Sequence, residues 1–176
     1  MTQPTSLDAV RRQLPPSTLG LAGLIVMIDQ LTKAVVRATV PLHSSRTIVP
    51  GLLDITHVQN SGAAFGILNA ADFPYKAVVI ALVATAALVS IAIFAAGVAP
   101  HQRLARLGLA LILGGAAGNL VDRVTVGSVV DFVDVYWGQY HFWAFNVADS
   151  AITVGVIGMM LDMLGVGNGQ SSESRA

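Results

Sequence analysis

The sequence predicts an all-α integral membrane protein with four transmembrane helices, a small β-like cradle and an extracytoplasmic loop. Three observations carry that fold class. Of 176 residues, 54% are hydrophobic and only 11% charged, with a mean hydropathy of +0.68, whereas a soluble domain carries about a quarter charged residues. Apolar runs recur at roughly the 20-residue length that crosses bilayer hydrocarbon at helical rise. Ten Lys+Arg balance ten Asp+Glu, so no basic excess exists to hold phosphates, and nucleic acid is excluded as a partner. The absence of cysteine removes disulfides, thiolate metal sites and a Cys nucleophile.

Residues 1–16 form a polar N-terminal extension with Arg11 and Arg12, ending in Pro15-Pro16 before a Ser17/Thr18 helix start. The first helix, about 17–40, is interrupted by Asp29, Gln30, Lys33 and Arg37. A cleavable signal peptide is disfavoured there, because the apolar stretch runs into Asp29-Gln-Leu-Thr-Lys33 instead of a small-residue cleavage site. The second helix, about 75–98, has an apolar stretch, 77–98, with nothing more polar than Thr85 and Ser90; the third, about 104–122, is Gly/Ala-rich. The fourth, about 142–164, contains Asn146 and Asp149, and a flexible Gly/Ser-rich tail follows over 165–176. Arg11, Arg12, Arg103, Arg106 and Arg175 fall on one side, against Arg37, Arg46, Lys76 and Arg123 on the other. With the dense charge of the short turn around Arg103, this places both termini in the cytoplasm.

Two loops, about 41–74 and 123–141, then lie outside. The first holds a β-like stretch, Leu52–Gln59, followed by the turn Asn60-Ser61-Gly62. In the second, alternation over 129–136 puts Asp131 and Asp134 on opposite faces of a strand. Tyr136, Trp137, Tyr140 and Trp143 crowd the same region, which suits the membrane–water boundary.

Charges inside hydrocarbon are costly and are normally paired, inward-facing and functional. Asp29, Lys33 and Arg37 share one helical face. The simplest reading is a self-neutralising pair near the outer interface, with Lys33 and Arg37 snorkelling to headgroups. Gly115, Asn119 and Arg123 share a face, and Gly114 and Gly118 form a small-xxx-small pair for close helix packing. Asn119 and Arg123 are not needed for packing, but both suit a site that holds a carboxylate or a peptide carbonyl. Asn146 and Asp149, at i and i+3, share a face with Thr153, and Asp149 is expected several residues inside its helix and desolvated. Two carboxylates brought close share one proton; one then serves as base on a water while the other polarises a scissile carbonyl. Asp131 and Asp149 are candidates, but Asp122, Asp134 and Asp54 lie near the same face, and composition does not choose among them.

At this point the sequence resembles the lipoprotein signal peptidases (signal peptidase II) over about 29–152. Five ordered motifs carry the resemblance: Asp29-Gln-Leu-Thr-Lys33, Asn60-Ser-Gly-Ala-Ala-Phe65, Gly114-Gly-Ala-Ala-Gly-Asn-Leu-Val-Asp-Arg123, Gly127-Ser-Val-Val-Asp-Phe132 and Phe145-Asn-Val-Ala-Asp149. It implies a multi-pass aspartyl endopeptidase of the bacterial inner membrane, working near the periplasmic face as a monomer with no cofactor and no metal. Its partners would be membrane phospholipid and a diacylglyceryl-modified prolipoprotein, cut just before the lipidated lipobox cysteine. By the same resemblance Asp131 and Asp149 are the catalytic pair. Asp29, Lys33, Asn60, Asn119, Arg123 and Asn146 then orient the pair and hold substrate backbone. The loop 41–74 is a candidate cradle or lid, with Gly62 and Gly66 as pivots.

Rival chemistries are weaker. A Ser/Lys or Ser/His protease would draw on Ser61, Ser128 or Ser150 with Lys33, His57 or His141, but no serine sits in a nucleophile elbow. The four His show no His-x-x-x-His spacing for zinc. A small transporter or proton relay would also place Asp, Lys and Arg in helices, yet no inverted repeat is evident.

Overall fold

The computed structural model describes residues 14–62 and 73–165. Four helices, α1 (Pro16–Thr39), α2 (Lys76–Gly97), α3 (Arg103–Thr125) and α4 (Val147–Met163), alternate with strands β1 (Ser45–Val49), β2 (Leu53–Asn60), β3 (Val129–Trp137) and β4 (Tyr140–His141). Expectations placed on residues 1–13, on Ala63, Ala64, Phe65 and Gly66, and on the tail beyond Gly165 lie outside the described residues.

The start of α1 follows from its prolines. Pro15 is the N-cap and Pro16 opens the helix, where a missing N–H costs nothing and φ is already helical. α1, α2 and α3 are each long and apolar enough to cross a membrane. Their outward faces carry Leu31, Val35, Leu82, Val83 and Ile93, all exposed, a surface that water would penalise and lipid does not. α4 has 17 residues, about 26 Å at helical rise.

α3 is the central helix and touches the other three. Close approach is built from glycine. A methyl added at Gly108 would meet the Gly155 carbonyl oxygen at 2.5 Å, and the reverse holds for Gly155. Gly114 lies nearly as tight against Ala22 and Ile25 of α1, with added-methyl contacts of 2.8 Å to each. The Gly114/Gly118 pair therefore packs α3 on α1, while Gly108 and Gly115 pack it on α4.

The strands form one antiparallel sheet in the order β1-β2-β3-β4. Val58 pairs with Asp131, Asn60 with Val129 and Asp54 with Asp134, with a register irregularity between Ile55 and Val58. Val130 and Phe132 of β3 bury against Val36 of α1 and Val40 just beyond it. This apolar joint fixes the sheet on the end of the bundle and points neighbouring side chains of β3 toward α3 and α4.

Three expectations need correction. The fourth helix begins at Val147, not 142: Asn146 is its N-cap, and Phe145 instead bridges to Val133. Apolar Phe142, Trp143, Ala144 and Phe145 look helical by hydropathy, but Phe145 exchanges backbone hydrogen bonds with β3 at 2.8 and 3.1 Å. Asp149 is accordingly in the first turn, not deep in the helix. The third helix runs on to Thr125, so Arg123 is helical instead of opening the loop 123–141. β1, exposed at every position, carries no alternation and was not anticipated.

Candidate active site

Four acids from three helices and a strand converge where α1, α3, β3 and the start of α4 meet. Lys33, fully buried, is the hub of one half. Its ammonium donates to Asp29 Oδ2 at 2.8 Å and Asn119 Oδ1 at 2.9 Å, and lies 2.9 Å from Asp122 Oδ2. Three protons thus meet three acceptors. The expected snorkelling of Lys33 does not occur, because Asp122 supplies a second buried carboxylate from across the bundle. Arg37, about one-third exposed, reaches the other oxygen of Asp122 at 2.7 Å. Gln30 braces the pair, donating to Asp29 Oδ2, Gly118 O and Asp122 Oδ1 at 3.1–3.3 Å.

Asp29 also accepts from the backbone N–H of Ala148 at 3.0 Å. An α1 carboxylate thereby ties down the positive start of α4. Gly118 makes room for it: a methyl there would sit 2.7 Å from Asp29 Oδ2.

The second half is built around Asn146. Its Oδ1 accepts from the Asp149 N–H at 2.9 Å, and the Asp149 carboxylate accepts from the Asn146 N–H at 3.3 Å, a reciprocal capping box. With Oδ1 so engaged, Nδ2 donates to Asp131 Oδ1 at 2.7 Å and Asn119 Oδ1 at 3.1 Å. Asn119 is oriented the same way. Its Oδ1 faces the Lys33 ammonium, so its Nδ2 faces Asp149 Oδ1, at 2.8 Å. Asn60 donates to Asp131 Oδ2 at 3.2 Å and accepts from the Gly62 N–H at 3.0 Å, fixing the turn after β2.

Asp131 is 5% exposed and Asp149 half-buried. Burial, and then the charge of Asp149, push the Asp131 carboxyl up to about 6, against hydrogen bonds from Asn60 and Asn146 that favour ionisation. Arg123 donates to Asn119 O at 3.2 Å and Gly62 O at 3.3 Å. Its Nε is buried without a partner among the described residues.

All eight site residues expected from sequence therefore lie in one connected network. Two of the other three acids near that face do not join it: Asp134 pairs with His141 at 2.9 Å and Asp54 accepts from Tyr136 at 3.3 Å. Asp122 and Gln30 are connecting residues that the sequence reading did not assign to the site. A signal existed for Asp122: the stripe Asp29-Lys33-Arg37 carries one acid to two cations, and a second acid had to face it.

Fold and site together define a class: a helical membrane protein with acids gathered at one end of its bundle. Residues 21–165 match the family model described as Signal peptidase (SPase) II. The chain is 49% identical to the lipoprotein signal peptidase of Syntrophotalea carbinolica over 80% of its own length and 86% of that protein's. It is 46% identical to that of Geobacter metallireducens, over 82% and 88%. A bacterial membrane enzyme solved by the in meso method at 2.3 Å resolution superposes with a TM-score of 0.78 at 31% identity, covering 93% of this chain and 97% of the other. The chain belongs to the signal peptidase II family.

Proposed function

We propose that this protein is an aspartic endopeptidase that removes the signal peptide from diacylglyceryl-modified prolipoproteins, cutting just before the lipidated cysteine. The observation that carries the reading is the linkage of Asp131 and Asp149 through Asn146, with a donor on both oxygens of each carboxylate. One proton is shared by the pair. The ionised member takes a proton from a water as its oxygen attacks the scissile carbonyl, while the protonated member donates to the carbonyl oxygen. Collapse of the tetrahedral diol returns a proton to the leaving amine. Arg123, whose Nε has no partner among the described residues, is a donor that can turn to a substrate carbonyl.

The lipid anchor of the substrate reduces its search to the membrane plane, since each buried CH₂ contributes about 0.8 kcal/mol of partitioning. In this reading all four helices span the bacterial inner membrane, both termini are cytoplasmic and the acids lie near the periplasmic face. Exposed Trp137, Tyr140 and Trp143 around the sheet support that placement. The enzyme works as a monomer in contact with membrane phospholipid.

A second reading has one observation behind it: Lys76 donates to Ser61 Oγ at 3.1 Å, the reach of a Ser/Lys catalytic pair. The two readings separate cleanly. Asp131→Asn and Asp149→Asn, made singly, are each expected to slow cleavage of a lipidated precursor in membranes at least about a thousandfold, with Ser61→Ala retaining most activity. Normal processing by either Asn variant rejects the paired-acid reading. Equal cleavage of unlipidated precursor by the wild type rejects the lipid specificity.

A further inference from the structure

Asp162 lies in the last turn of α4, more than three turns beyond Asp149 and so about 20 Å further along the helix axis. It is 6% exposed, and its Oδ1 has no hydrogen-bond partner among the described residues. No basic residue occupies that last turn, and the carbonyl end of a helix is itself negative. A buried acceptor with no donor among the described residues is costly, and it stands beside a negative helix end. A cationic donor would answer both.

Asp162 lines a crevice of about 460 Å³ between α2, α3 and α4. Most of its wall is apolar, including Ile93, Phe94, Val98, Met159 and Met163. Gln102 and Ala105, at the start of α3, complete it. No side chain caps α3, its first turn holds no acid, and Arg103, its first residue, is exposed. An uncapped helix start beside an arginine suits a phosphate. Unpaired carboxylate, anion-seeking helix start and apolar wall therefore lie together.

We propose that this crevice binds a phospholipid with a primary-amine headgroup. The ammonium pairs with the Asp162 carboxylate, the phosphate sits at the start of α3 with Arg103, and acyl chain runs along Ile93, Phe94 and Met163. The site is separate from Asp131 and Asp149 and does not depend on the peptidase reading.

The test uses the full-length protein in mild detergent, offered phosphatidylethanolamine, phosphatidylcholine or phosphatidylglycerol with matched acyl chains. Retained lipid is counted by native mass spectrometry. The wild type should hold phosphatidylethanolamine about tenfold more tightly than the other two, the scale of one charge-assisted hydrogen bond. Asp162→Asn should erase that preference, and Arg103→Gln should weaken retention of all three. Both variants should still cleave lipidated precursor, which verifies their fold. An undiminished preference in Asp162→Asn, or equal retention of the three lipids by the wild type, overturns the proposal. So does a preference that emerges only after residues 1–13 are removed, because Arg11 or Arg12 would then be the carboxylate's partner in the intact chain.

Discussion

Asp131 is held in a setting that works against its own charge. Its carboxyl, ordinarily near 3.8, is raised to about 6 by burial and by Asp149. Ionising it therefore costs more in the folded protein than in the unfolded chain. Its contribution to stability is fully present below about pH 4 and is lost as pH rises through about 6. Asp131→Asn has no such loss. Its melting temperature relative to wild type should climb between about pH 4 and 7, by the equivalent of up to about 3 kcal/mol. A difference that stays constant with pH would count against that environment. Lys33 presents the opposite case, a buried cation whose three donors are all used. Lys33→Met fills similar space but leaves Asp29 and Asp122 facing each other with one cation fewer. Breaking a buried pair in this way costs about 3–5 kcal/mol, readable as a lower melting temperature in detergent. Melting at the wild-type temperature would mean that the ammonium is not what balances those acids.

At the scale of elements, the start of α4 sets where Asp149 points. Asn146→Ala removes the cap, worth about 1 kcal/mol, and also the donor shared by Asp131 and Asn119. Asn146→Ser, which can still cap but cannot bridge, should recover thermal stability without recovering cleavage. Equal recovery of both would reduce Asn146 to a cap alone. Gly118→Ala should fail at a different joint, because its methyl meets the Asp29 carboxylate at 2.7 Å. That change should loosen the α1–α3 seam and lower cleavage along with stability. The long helices were legible because hydropathy at bilayer length leaves little alternative, and the five motifs marked the site. The beginning of α4 was legible too, in the Asn-x-x-Asp spacing of a capping box, but the aromatic run 142–145 outweighed it. Lys33 was misread for another reason. Its second carboxylate, Asp122, comes from a different helix; the stripe of one acid and two cations announces that a second acid is needed, but not which one packing supplies.

Across the whole molecule, the connected network holds four carboxylates, Asp29, Asp122, Asp131 and Asp149, against three cations, Lys33, Arg37 and Arg123. A single proton on the Asp131–Asp149 pair makes the assembly neutral, the least costly state in a low-dielectric bundle. Cleavage should therefore follow a bell-shaped pH profile, failing when the pair is doubly protonated and again when it is doubly ionised. One limb should lie within about a unit of pH 6. A flat rate between about pH 4 and 9 would contradict the shared proton. The same network has a consequence for biogenesis. Past Lys76, α2 contributes no charged side chain, so the carboxylate that meets Arg37 arrives 85 residues later in the chain, on α3. Asp29 waits longer still, for an N–H 119 residues downstream at the start of α4. A chain halted during synthesis before Asn146 contains Asp131 but lacks both Asn146 and Asp149. On the proposed reading, a protein that cuts peptides at its own host's membrane acquires its catalytic pair only when its last helix is in place.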